Sequence, residues 1–112
     1  TTLHRPNDVD KVYKESGGCS GLPLTLRSTE LIHHIYKHTN GKLPIVGVGG
    51  IMSADDAWEK IVNGASLLQA YAGFVFEGPS LTKEIVNGLR RKLRDSQFKT
   101  LEEAIGSSVL LS

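Results

Sequence analysis

Two short apolar runs dominate the hydrophobic pattern of the chain, and a helix-like segment separates them. The first run covers residues 43–48 and stops at Gly49-Gly50, and the second covers residues 66–71 and ends at Tyr71. Neither run alternates between apolar and polar positions, which is typical of strands that are buried on both faces. Strands that alternate with helices predict parallel pairing with right-handed crossovers.

The segments beside these runs show the spacing of amphipathic helices. A first helix is predicted from a cap at Ser28 or Thr29 to Thr39, with Asn40-Gly41 ending it. A second helix is predicted to start at Ser53, where Asp56 three positions later forms a capping-box-like pair. Its predicted buried residues are Ala54, Ala57, Trp58, Ile61 and Val62, and Asn63-Gly64 ends it.

The last third of the chain predicts two more helices. Gly78-Pro79 opens the longer one, and its apolar residues lie four apart on one face: Leu81, Ile85, Leu89 and Leu93. A capping box from Thr100 to Glu103 predicts a short terminal helix. Residues 1–27 contain scattered Gly and Pro without apolar periodicity, so they are predicted to be loop.

Two parallel strands are too few for a sheet whose faces are both covered. A closed (β/α)₈ barrel needs about 250 residues, so this chain reads as part of one rather than as a self-sufficient domain. We predict an α/β fold in which residues 1–112 form the carboxyl-terminal portion of a TIM barrel with its last two parallel strands. In this prediction residues 1–27 lie over the active-site rim and residues 28–112 are the final helix–strand units.

Composition and charge narrow the possible functions. The net charge of +1 argues against a nucleic-acid partner, and no apolar run approaches the roughly 20 residues of a membrane span. Cys19 is the single cysteine and has no neighbouring His or Asp in sequence, so a buried or incidental thiol is favoured over a nucleophile. His34 and His38 have metal-ligand spacing, but no third ligand is evident, which favours a solvated helix face.

The glycines after the first apolar run invite comparison with a dinucleotide fingerprint. In Gly47-Val48-Gly49-Gly50-Ile51-Met52 the third glycine of G-x-G-x-x-G is replaced by Met52, so that interpretation fails. Two interpretations remain open, a tight turn without ligand and a cradle of backbone N–H groups for an anion. The cradle would combine this turn with the one after Tyr71, because TIM barrels bind phosphate at the loops after their last two strands.

A series of segments, in one order along the chain, also resembles a known enzyme family. The segments are Ser16-Gly17-Gly18-Cys19-Ser20-Gly21-Leu22-Pro23-Leu24, Arg27-Ser28-Thr29, Pro44-Ile45-Val46-Gly47-Val48-Gly49-Gly50, Asp56-Ala57, Gly64-Ala65-Ser66-Leu67-Leu68-Gln69, Tyr71, Gly78-Pro79 and Glu103-Ala104-Ile105-Gly106. Together they cover nearly the whole chain, and they resemble the quinone-dependent (class 2) dihydroorotate dehydrogenases.

This resemblance implies a barrel that binds FMN, oxidises dihydroorotate to orotate in pyrimidine (UMP) biosynthesis and passes the electrons to ubiquinone. By motif position, Thr1 would contact the substrate, and Gly21 would contact FMN from the glycine-rich loop. Gly49, Gly50 and Tyr71 would hold the FMN phosphate through their backbone N–H groups.

The chain departs from the family pattern at Ala72, where Thr or Ser is usual and also contacts the phosphate. Ala72 retains the N–H group and lacks the hydroxyl. The family's general base, a Ser, lies in an earlier part of the barrel, so no catalytic residue is expected in this chain. The expected partner is therefore the remainder of the same barrel.

The resemblance further implies membrane association through the amino-terminal part, at the mitochondrial inner membrane or, alternatively, the bacterial cytoplasmic membrane. Two other functions remain open. One is another FMN- or phosphate-binding barrel oxidoreductase, such as a class 1 relative. The other is a non-catalytic, truncated barrel remnant.

Overall fold

The computed structural model describes Thr2 and residues 17–110. A 3₁₀ turn at Leu22–Leu24 leads into the first helix, and helices and strands then follow one another along the chain. Their bounds are α1 Thr25–Thr39, β1 Val46–Val48, α2 Ala54–Val62, β2 Leu67–Gln69, α3 Ala72–Glu77, α4 Ser80–Asp95, α5 Leu101–Ala104 and α6 Ser107–Leu110.

The two strands pair in parallel, which confirms the prediction from the alternation of strands and helices. Val46 lies opposite Leu67 and Val48 lies opposite Gln69. Both strands are shorter than the apolar runs that predicted them. A backbone carbonyl just outside the ladder, that of Ile45, accepts bonds from the N–H groups of Ser66 and Leu67 at 2.9 and 3.3 Å.

Helix α1 begins at Thr25, earlier than its predicted start at Ser28 or Thr29. The prediction of a cap there is wrong because both hydroxyls bond elsewhere from inside the helix. Ser28 Oγ donates to the carbonyl of Val48, and Thr29 Oγ1 donates to the carbonyl of Thr25 at 3.0 Å. The entry into α1 is the 3₁₀ turn that contains Pro23, a residue whose fixed φ suits a first helical turn.

The two capping predictions for later helices are confirmed. Ser53 Oγ accepts a hydrogen bond from the N–H of Asp56 at 3.3 Å, and Thr100 Oγ1 accepts one from that of Glu103 at 3.4 Å. Each acidic side chain reaches back one residue beyond the cap. Asp56 accepts from the N–H of Met52, and Glu103 accepts from that of Lys99.

Helices α3 and α6 were not predicted. The α3 segment reads Ala-Gly-Phe-Val-Phe-Glu, in which Gly and the aromatic and β-branched residues have low helix propensity. It packs closely, because a Cβ on Gly73 would collide with the backbone carbonyl of Ile51. None of the helices in the described part of the chain combines the length and apolar character of a membrane span.

The core lies on one side of the two-stranded sheet. Ile32 of α1, Ile45 and Ala65 are buried there, with Tyr36 and Leu68 packed against them. On the opposite side, Val46, Val48 and Leu67 are 51%, 44% and 67% exposed. The prediction that both faces of the strands are buried therefore holds for one face only among the described residues.

The apolar stripe of α1 divides in the same way. Ile32 is buried, whereas Leu31 and Ile35 on the same predicted stripe are 44% and 38% exposed. In α4, Leu81 is buried, and the other three predicted face residues are half-buried: Ile85, Leu89 and Leu93. Apolar surface is therefore left uncovered on α1 as well as on the sheet.

Helices α2 and α4 pack directly on each other at Gly88. A Cβ on this buried residue would collide with the Cβ of Ala54 at the start of α2. The same pair of helices is linked at the surface by an ion pair between Lys92 and Asp55. The absent side chain at residue 88 thus sets how closely the two helices approach.

Replacing Gly88 with Ala should destabilise the protein by about 1–3 kcal/mol, because the added methyl overpacks the α2–α4 contact. Urea unfolding of the complete protein that carries this chain measures the change. The matched control is Asn87→Ala, an exposed neighbour in α4, which should stay within about 0.5 kcal/mol of the parent. Equal stability of the Gly88→Ala variant and the parent would contradict the close approach.

Candidate functional site

A cavity of about 440 Å³ opens at the carboxyl ends of β1 and β2. All five predicted cofactor-binding residues line this cavity: Gly21, Gly49, Gly50, Tyr71 and Ala72. The glycine-rich loop reaches the same rim, since Ser20 lies beside Gly21 on the cavity wall. The predicted substrate residue, Thr1, lies outside the described residues.

The cavity wall carries backbone N–H groups that have no partner within the described chain. No residue among Thr2 and 17–110 accepts a hydrogen bond from the N–H of Gly49, Gly50, Tyr71 or Ala72. None of the described lining residues carries a charged side chain. Unpaired N–H donors without a competing carboxylate suit an anion or another acceptor-rich group.

Gly50 is required by the packing of α1 against the turn. Its φ is +69°, and a Cβ there would collide with the backbone N and Cα of Thr25. Gly49 faces the same helix, because its Cβ would lie 3.3 Å from the Cβ of Ser28. The missing side chains therefore allow α1 to approach the turn. A Cβ at residue 50 would meet α1 and would not point at the ligand.

Side chains of α1 and α2 hold the turn after β1 from both sides. Thr25 Oγ1 donates to the carbonyl of Gly50 at 2.7 Å, and Ser28 Oγ donates to that of Val48. On the α2 side, Asp56 Oδ2 accepts from the N–H of Met52 at 3.0 Å. The backbone that lines the cavity is thus fixed immediately before and after its two glycines.

Lys60 is a buried residue of this region that the sequence analysis missed. Its exposed fraction is 0%, and its Nζ donates to the carbonyl of Thr25 at 3.2 Å and to Thr29 Oγ1 at 3.0 Å. Burial lowers the pKa of the Lys60 ammonium, and the Asp56 carboxylate one helical turn away partly offsets this. The i,i+4 spacing to Asp56 was the available sequence signal.

The two histidines with metal-ligand spacing lie apart from the cavity. The rings of His34 and His38 are 4.1 Å apart on the exposed side of α1, and His38 Nδ1 lies 3.1 Å from the carbonyl oxygen of His34. In the part of the chain that the structure describes, no group of three or more His, Cys, Asp or Glu side chains is arranged to hold a metal. Cys19 is half-buried beside the loop and pairs through its backbone with Thr2.

Comparison with known proteins yields one family and consistent relatives. Residues 1–93 match the family model described as dihydroorotate dehydrogenase. Proteins named dihydroorotate dehydrogenase (quinone) from Rippkaea orientalis and Gloeobacter violaceus are 50% and 55% identical over 95% of this chain. The chain spans 28% and 30% of those relatives.

Solved structures agree with the sequence relatives. A crystal structure of DHODH from Eimeria tenella in complex with ferulenol superposes with a TM-score of 0.89 at 33% identity. The superposition covers 96% of this chain and 29% of that one, and the ligand-free form from the same organism gives a TM-score of 0.88. The α/β prediction is therefore confirmed as the fold of these enzymes.

The relatives overturn one expectation. The similar curated proteins come from cyanobacteria, which lack mitochondria, so the predicted location at the mitochondrial inner membrane is wrong. The resemblance seen in the sequence motifs is confirmed at the level of the family. On the family match over residues 1–93, this chain belongs to the dihydroorotate dehydrogenase family.

Proposed function

We propose that the protein containing this chain oxidises dihydroorotate to orotate with FMN and passes the electrons to a quinone, as a step of pyrimidine biosynthesis. Support comes from relatives with that name at about half identity over 95% of the chain. The observation that carries the proposal is the cavity at the strand ends, where five predicted cofactor-binding residues meet.

The proposed place of this chain is the carboxyl-terminal portion of a TIM barrel, with β1 and β2 as its last two strands. The relatives are more than three times as long as the matched segment, which leaves room for the remaining strands. Val46, Val48 and Leu67 on the uncovered face of the sheet are the kind of residues that fill a barrel interior. The remainder of the same barrel is thus the proposed partner of this face.

The proposed ligand of the cavity is the phosphate end of FMN, whose flavin would accept the hydride from the substrate. The residues present fit this group in three respects. Gly49, Gly50, Tyr71 and Ala72 supply N–H donors without partners in the described chain, and no charged side chain of the described lining opposes an anion. The volume of about 440 Å³ lies within the usual range for ligand pockets.

Each predicted contact keeps a distinct role in this proposal. Gly21 closes the cavity from the loop side, next to Ala72, and Tyr71 stands at the exposed rim. Thr1 is proposed to contact the substrate. No catalytic residue is assigned to this chain, and the bacterial cytoplasmic membrane remains the proposed location.

The complete protein should be isolated with bound FMN and should reduce quinone in a dihydroorotate-dependent manner. Flavin absorbance, FMN released on denaturation and the rate of quinone reduction measure these properties. Faster turnover with fumarate than with quinone would favour a class 1 relative instead. Well-folded protein with neither flavin nor turnover would leave only the non-catalytic remnant.

Replacing Ala72 with Ser should strengthen FMN binding by about 1 kcal/mol, about fivefold in dissociation constant, because a hydroxyl restores one hydrogen bond to the phosphate. Titration of the FMN-free protein, followed by flavin fluorescence, measures the change. Riboflavin, which lacks the phosphate, is the control ligand and should bind the variant and the parent equally. An equal gain in affinity for riboflavin and FMN would contradict the proposed contact between residue 72 and the phosphate.

A further inference from the structure

Two hydrogen bonds connect the turn that carries Gly49 and Gly50 to a buried lysine, and both involve Thr25. We call this pair of bonds the relay. Lys60 Nζ donates to the backbone carbonyl of Thr25 at 3.2 Å, and Thr25 Oγ1 donates to the carbonyl of Gly50 at 2.7 Å. Lys60 itself does not line the cavity. It therefore reaches the site only through the first turn of α1.

We propose that Lys60 is a positioning residue that holds the Gly49-Gly50 turn in its phosphate-binding conformation by anchoring Thr25. This inference rests on the proposed FMN site. It assigns the site's geometry to a side chain on α2, which has no contact of its own with the ligand.

Helix packing makes Thr25 an effective intermediate. A Cβ on Gly50 would collide with the backbone N and Cα of Thr25, so no side chain fits between the two backbones. A shift of Thr25 away from β1 would break the bond from its hydroxyl to the Gly50 carbonyl. We therefore expect the turn at Gly50 to shift when the first turn of α1 shifts.

The chemistry of Lys60 fits an anchoring role. The side chain is fully buried, and burial lowers its pKa, which reflects an environment unfavourable to a charge. Its Nζ nevertheless has two acceptors across the helix contact, because the Thr25 carbonyl and Thr29 Oγ1 both accept from it. A methionine at residue 60 would fill similar space and leave the carbonyl of Thr25 without this donor.

The other end of the turn is bonded to α2, the helix that carries Lys60. Asp56 lies one helical turn before Lys60 and accepts from the N–H of Met52, two residues after Gly50. The turn is thus tied to α2 through Asp56 and to α1 through Thr25, and Lys60 joins α2 to α1. Loss of Lys60 would leave the Asp56 bond and the Ser28 bond to the Val48 carbonyl in place, and would remove only the anchor of Thr25.

The test compares Lys60→Met with the parent in the complete protein, using FMN and riboflavin as separate probes. Because the proposed effect acts on the phosphate cradle, the FMN dissociation constant should rise about tenfold. The riboflavin dissociation constant should change less than twofold. Lys83→Met, an exposed lysine of α4, is the matched control and should leave both constants unchanged.

A second variant approaches the relay from its other end. Thr25→Val removes the hydroxyl that bonds Gly50 and should show the same selective loss of FMN binding. In the double variant the two losses should not add, because both substitutions break one path. Thermal unfolding without ligand identifies a variant that fails to fold. In that case the FMN and riboflavin dissociation constants of the other single variant test the proposal.

Three results would overturn the inference: equal weakening of FMN and riboflavin by Lys60→Met, unchanged FMN binding, or additive losses in the double variant. Each requires that the parent protein binds FMN more tightly than riboflavin. A parent without that preference would instead contradict the proposed phosphate site itself.

Discussion

The contact between α1 and the turn after β1 holds both the entry into α1 and the wall of the cavity. Gly50 has no side chain to separate the two backbones, so the first turn of α1 packs directly on it. The Thr25 hydroxyl then satisfies the Gly50 carbonyl, which would otherwise be buried without a donor. Helix α1 precedes β1 in the chain, and the turn follows β1. The contact therefore joins the two ends of the α1–β1 segment beside the cavity.

One face of the two-stranded sheet is left uncovered by the residues that the structure describes. One face is covered by Ile32 and its neighbours, while Val46, Val48 and Leu67 present large apolar surfaces on the other. Apolar area left in water forfeits about 25 cal/mol per Å², so this face gains stability only when more of the protein covers it. The relatives, of which the chain spans less than a third, are long enough to supply such a cover.

The proposed division of labour follows from the same arrangement. The described chain contributes backbone N–H groups at one rim of a cavity, together with the helices that hold them. It contributes no charged group to the described lining, so the proposed binding of FMN phosphate there would rely on backbone N–H groups rather than on a salt bridge. A site of this kind is sensitive to small movements of its supporting helices, which is why a buried lysine behind it matters.

Features that are encoded locally could be predicted from the residues alone. Apolar spacing and turn residues placed α2, α4, the parallel strand pair and the Ser53 and Thr100 caps. Tertiary structure decided the rest, because those features depend on partners distant in the chain. Ser28 bonds Val48 instead of capping, α3 forms against the Ile51 carbonyl despite weak propensity, and Lys60 is buried because the carbonyl of Thr25 lies across from it. The glycine pair is evident in the sequence. The packing of α1 against it is not, because no local pattern indicates which distant backbone will lie beside a glycine.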